Sequence, residues 1–166
     1  NVVFQDEVSQ LCLQMIGQSE CNGGGFPGVY MHVWRDTITL PGGCDSWVFA
    51  WDGCCRNNSV NSPGASNNYY WETVLNSVTA PSNSSPVITS QPIPYNCNNQ
   101  PVIYNFGVYE PDGDSLHYSL ISAMTGPNGN IPYNAGYSGA SPINGININP
   151  VTGEITFTPT ILGNFI

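Results

Sequence analysis

Glu110-Pro111-Asp112-Gly113-Asp114-Ser115-Leu116-His117-Tyr118-Ser119-Leu120 opens with the densest patch of carboxylate in a chain otherwise short of charge. Three acids at alternate positions share one side of an extended backbone. Pro111 and Gly113 bend the chain, so the oxygens curl around a point instead of lining a face. Oxygen ligands on a bent loop suit a hard cation, which makes Glu110, Asp112 and Asp114 the candidate ligands of a Ca²⁺ ion. Calcium takes about 6–8 oxygens, so other segments must contribute. With no Glu at the closing position, the run is not an EF-hand loop. Leu116, Tyr118 and Leu120 then alternate with His117 and Ser119, which predicts a half-buried strand. Further on, Asn149-Pro150-Val151-Thr152-Gly153-Glu154-Ile155-Thr156-Phe157 predicts a turn at 150–153 feeding a strand.

This succession of acidic turn, strand, loop, turn and strand resembles the cadherin-like repeats of bacterial surface proteins. The resemblance implies calcium at the acidic run, with Glu110 standing where that pattern has an Asp.

Upstream of the run, Val102, Tyr104 and Phe106 alternate as a strand. Residues 79–94 are rich in Ser, Pro and Thr and mark a domain boundary. Asn83 and the Asn96–Asn99 cluster offer oxygens to complete a cation shell at that junction, or simply make side-chain turns. Before the boundary, Tyr30, His32 and Trp34 predict one strand, Thr37 to Leu40 its continuation, Trp47 to Trp51 another and Tyr69 to Leu75 a third. Residues 1–13 promise an irregular strand pair at best, and 124–147 a long loop or two frayed strands.

With 18 Gly, 14 Pro, 9 Tyr and 4 Trp in 166 residues, and no window carrying a helical apolar stripe, the fold class is all-β. Eleven acids face only Arg35 and Arg56, and there is no lysine. The net charge of −9 disfavours nucleic acid and anionic membrane surfaces. No signal peptide and no run of membrane-spanning length appears, so membrane insertion is not expected. Asn1 and Ile166 lie in strand-like sequence, which reads as a piece of something longer.

Cys12, Cys21, Cys44, Cys54, Cys55 and Cys97 lack metal-type spacing and point to disulfides in an oxidising compartment. Cys12 with Cys21 is the simplest pair to propose, and adjacent Cys54 and Cys55 are each expected to reach elsewhere. Trp47, Phe49 and Trp51 share one strand face between cysteines and are expected in a core. Arg56 either pairs with an acid or caps backbone carbonyls.

Glu20 to Gly24, Phe26-Pro27-Gly28, Thr37 to Pro41, Cys44 to Trp51, Cys54-Cys55-Arg56-Asn57 and Asn83 to Pro86 follow one another in an order that resembles the very large, repetitive surface proteins of gliding bacteria, exported by the type IX pathway. Ser82 stands where that resemblance implies a cysteine. It implies an extracellular, cell-surface location, and two tandem β-sandwiches, Ig-like over 1–86 and cadherin-like over 87–166. The second would lack its last strand, to be supplied from beyond Ile166 or by a neighbour.

No Ser-His-Asp order or spaced carboxylate pair suggests catalysis, and His32 and His117 have no ligand partners at metal spacing. Asn57 and Asn83 fit N-glycosylation sequons, while Thr37 and Ser115 resemble the O-glycosylation acceptor of the same bacterial group. The expected function is a non-enzymatic segment of an adhesin or filament, stiffened by calcium and partnered by neighbouring repeats. The alternative is a carbohydrate-binding module that uses Trp34, Trp47, Trp51 or Trp71 on a surface polysaccharide. Burial separates the two, because exposed coplanar aromatics favour a sugar and buried ones a structural repeat.

Overall fold

The computed structural model describes residues 2–63, 68–91, 93 and 95–166, with the side chains of Val2 and Val3 left aside. The fold is all-β, with antiparallel strands and two short 3₁₀ turns, Leu13–Gln18 and Glu20–Asn22. Among the described residues no helix is long and apolar enough to cross a membrane.

The chain divides into two compact units. The first comprises Asn1–Gly42 with Gln91–Tyr95, and its sheet is a ribbon of β1 (Val2–Glu7) against β2 (Tyr30–Trp34). A bulge between Val2 and Phe4 leaves the pairs Gln5–His32 and Glu7–Tyr30 in register. The expected continuation over Thr37–Leu40 is not a strand. The link between β1 and β2 is drawn in by a polar knot. Ser9 Oγ donates to Glu7 Oε1 at 2.6 Å and Asn22 Nδ2 to Glu7 Oε2 at 2.6 Å, while Val29 N donates to Ser9 Oγ at 2.9 Å.

The second unit, Gly43–Ser90 with Asn96–Ile166, holds three sheets among the described residues. β3 (Trp47–Gly53) and β4 (Tyr69–Leu75) pair along their whole length, from Trp47–Leu75 to Gly53–Tyr69. The short strands β5 (Val87–Ile88) and β7 (Val108–Tyr109) pair with each other. β6 (Val102–Tyr104) pairs with β11 (Ile155–Phe157), and β11 with β10 (Asn147–Ile148). β8 (Met124–Gly126) and β9 (Gly129–Asn130) form a hairpin within the stretch expected to be loop or frayed strand, and β8 joins β4 through Tyr70–Met124. Arg56 reinforces that narrow junction, because its Nε donates to Asn68 O and its Nη2 to Met124 O.

The expected boundary at 86/87 does not coincide with the division into compact units. β4 and β8 lie on opposite sides of it yet share a sheet, and the units divide at Gly42–Gly43, with Gln91–Tyr95 grouped with the first. The reason is that strand pairing is non-local and reads the ladder, whereas a Ser/Pro-rich stretch reports only that the backbone is irregular there.

Among the described residues of the second unit, Tyr70, Val102 and Ile131 are buried apolar side chains, and the polar Asn61 and Ser62 are buried with them. Asn61 is 0 % exposed; its Nδ2 donates to Pro142 O and Ile166 O, and its Oδ1 accepts from Ile166 N. Ser62 Oγ donates to Pro132 O, so one short segment ties three distant loops together.

Cys54 and Cys55, each expected to reach elsewhere, are in close contact with each other across a cis peptide, and Cys12, Cys21, Cys44 and Cys97 form no disulfide among the described residues. The loop expected to be closed by Cys12 and Cys21 is wound into the two 3₁₀ turns instead, and the Cys21 sulfur faces Gly28.

Candidate functional site

Full pairing of β3 with β4 sets Trp51 directly across from Trp71 and Gly53 across from Tyr69. Directly paired antiparallel residues project to the same face, so these rings form one group. Trp51 and Trp71 stack with centroids 5.0 Å apart and planes inclined by 23°, and Tyr69 stacks on Trp71 at 5.4 Å and 15°. Gly53 makes the arrangement possible, since a Cβ there would lie 2.6 Å from the Trp51 ring. The Arg56 guanidinium sits 4.9 Å from the centroid of Tyr69 and closes that end of the column. Its carbonyl contacts hold it in place, which settles the choice between ion pair and carbonyl cap in favour of the cap.

The column is open to solvent: Trp51 is 43 % and Trp71 56 % exposed. This overturns the expectation that Trp51 belongs to a core. Only the far end of the face behaves as expected, where Trp47 is half-buried and its Nε1 donates to Ser77 Oγ at 3.1 Å. On the opposite face Val48 and Val74 are also exposed. An antiparallel sheet normally covers one face. A ribbon with large apolar groups on both sides is therefore suited to contact something outside itself.

The acidic run is arranged differently from the expected cation shell. Glu110 Oε2 accepts the amide of Asp114 at 2.7 Å, and Asp112 accepts from Ser84 N at 2.5 Å and from Ser84 Oγ at 3.2 Å. Glu110 thus caps its own turn, with Gly113 in the left-handed region at φ 84°, while Asp112 ties the run to the distant Ser84. Among the described residues no three His, Cys, Asp or Glu side chains come together to hold a metal ion. Asn83 turns its Nδ2 to Ser84 O, and Asn98 Oδ1 is buried without a hydrogen-bond partner.

Asn57, Asn83, Thr37 and Ser115 are all exposed, as a glycosylation acceptor must be. His117 is exposed, and His32 stacks on Trp34. A water-sized concavity lined by Tyr137, Ile143, Asn144, Thr160, Ile161 and Phe165 carries no carboxylate, imidazole or thiol. The aromatic column was legible as four separate tryptophans and an alternating strand. Its assembly depended on the β3–β4 register, which single-strand alternation does not contain.

Comparison with known protein families, with curated proteins and with solved structures returns no match.

Proposed function

We propose that this chain is a non-catalytic segment of an extracellular, cell-surface adhesin or filament, and that the Trp51–Trp71–Tyr69 column receives an uncharged polysaccharide. The observation that carries this reading is the exposure of stacked, nearly parallel rings on a two-faced ribbon. The C–H bonds of a sugar's apolar face carry partial positive charge and lie favourably against the negative face or rim of an aromatic ring. A net charge of −9 with two arginines, one of them engaged by Tyr69 and two carbonyls, disfavours acidic polysaccharides and leaves neutral ones.

The test is affinity electrophoresis and tryptophan fluorescence against soluble dextran, mixed-linkage β-glucan, xyloglucan and galactomannan. Retardation by at least one of them, weakened about tenfold or more in Trp71→Ala, is expected. Equal mobility in all four gels with unquenched fluorescence would sink the reading. A second reading, a passive spacer that only transmits force, is favoured by the Asn61 cross-brace, which ties loops from far apart in the chain. That reading expects no glycan binding at all.

A further inference from the structure

The first unit carries a second row of rings with the same accessibility, built on a different element. Tyr30, His32 and Trp34 occupy alternate positions of β2 and project to one face. Tyr30 meets His32 edge-on at 5.9 Å and 68°, and His32 stacks on Trp34 at 5.6 Å and 20°. Tyr30 is 44 % and Trp34 53 % exposed. The row is held in position before any ligand arrives, since the Tyr30 hydroxyl donates to Cys21 O at 2.8 Å. Register with β1 places Gln5 beside His32 and Glu7 beside Tyr30 on the same face. The Glu7 carboxylate accepts from Ser9 at one oxygen and Asn22 at the other, and the Ser19 side chain also bonds it, so the group is held in one orientation on this face.

We infer that this face, Tyr30, His32 and Trp34 with Gln5 and Glu7, is a second binding site for an uncharged glycan, so that each compact unit carries one. The inference takes its ligand class from the reading of the Trp51–Trp71 column and stands on separate residues. Rings supply stacking, and the Gln5 amide and Glu7 carboxylate take sugar hydroxyls, a division of labour common to sites that orient a neutral ligand. Charge selects among ligands. Glu7 places a carboxylate on the face, in a chain of net charge −9, which turns away polyanions. A compact cation would need rings closing around it. Three rings strung along one strand extend over roughly 13 Å, a length that fits successive units of a chain-like ligand.

Two sites on one chain raise affinity for a polymer above that of either alone. Intact chain, Trp34→Ala, His32→Ala and Trp71→Ala proteins are compared by calorimetry with a tetrasaccharide cut from the polysaccharide that retards the intact chain most. They are also compared by affinity electrophoresis with the polymer itself, far-UV circular dichroism checking that each variant is folded. Two tetrasaccharides per chain are expected, falling to one in Trp34→Ala and one in Trp71→Ala, with polymer affinity reduced about tenfold or more in each. His32→Ala should weaken the same site as Trp34→Ala and leaves the inference testable if the latter misfolds.

A stoichiometry of one that Trp34→Ala and His32→Ala leave unchanged overturns this inference while the Trp51–Trp71 reading stands. Loss in Trp34→Ala with none in Trp71→Ala keeps the inference and removes that reading. Fluorescence quenching at Trp34 by tetramethylammonium, with no response to any of the four polysaccharides, would assign the face to a cation instead and overturn the inference.

Discussion

Residues 47–53 and residues 116–120 both carry a period-two repeat, aromatic at 47, 49 and 51 and apolar at 116, 118 and 120, yet the first is a strand paired along its whole length and the second belongs to no strand. Burial follows the repeat as far as Phe49 in the first and throughout the second. Leu116, Tyr118 and Leu120 are half-buried while Ser115, His117 and Ser119 are exposed, as a strand with one covered face would arrange them. What differs is the partner. β3 faces β4, a run with a full set of amides and carbonyls. Residues 116–120 lie against the 149–153 turn, where Tyr118 N donates to Pro150 O and Pro150 has no N–H to return. The difference teaches that period-two patterning reports which side of the backbone is covered, and a ladder forms only where the opposite segment can both donate and accept.

The comparison breaks most sharply at Gly153. It is buried with φ at 70°, and a Cβ there would lie 2.7 Å from the Tyr118 ring. Gly153→Val combines a left-handed backbone for a branched residue with overpacking, about 3 kcal/mol together. Thermal melting should fall by on the order of 10 °C. Tyr118→Ala in the same chain should recover the steric part, and an unchanged melting temperature in Gly153→Val would mean that 116–120 does not rest on this turn.

On the ribbon side the corresponding test is a double-mutant cycle. Trp51→Ala and Trp71→Ala should each destabilise the chain, and their coupling should be about 1 kcal/mol, the usual worth of an aromatic pair beyond its area. Additive effects would show that the rings ignore each other in solution.

Smaller again is Asp112→Ala, which removes the acceptor of Ser84 N and Oγ at an exposed turn and should cost about 1 kcal/mol or less. Because Glu110 and Asp112 already take amide and hydroxyl donors from Asp114 and Ser84, a chelator should leave the melting temperature of the intact chain where it was. A fall that added Ca²⁺ reverses would show the carboxylates gathering around an ion after all.

The smallest effect is alkaline. Tyr70 donates to Glu72 Oε2 at 2.8 Å, and that bond, followed by burial and the nearby charges of Glu72 and Asp52, raises its pKa above the ordinary 10.0. A raised folded pKa favours the neutral phenol, so this contribution is fully present below about pH 10 and is lost as pH climbs through the folded value. Tyr70→Phe should flatten the alkaline limb of the stability profile, and an unaltered limb would remove Tyr70 from its cause.

How far the residues alone led can be seen at particular places. Val102–Tyr104 and Ile155–Phe157 were legible because clean alternation sits beside strong turn chemistry; Asn149 Oδ1 accepts from Val151 N and Thr152 N, as an Asx turn does. That these two strands pair with each other was not legible. Nor was the Tyr70–Met124 junction, which depends on Arg56 reaching two carbonyls. The candidate site was half visible. Trp34, Trp51 and Trp71 stood out by type, but their exposure is a property of what does not cover them, and no local pattern encodes that.

Composition, alternation and turn residues by themselves determined that this chain is all-β and strongly acidic, and where most of the longer strands lie. Tertiary structure alone decided which strands meet, that the units part at Gly42–Gly43, that Asp112 meets Ser84, and that Trp34, Trp51 and Trp71 face water. The first group follows from the φ/ψ preferences and charge of each residue and its near neighbours. The second follows from pairings between segments far apart in the chain, where one donor finds one acceptor and every alternative is given up.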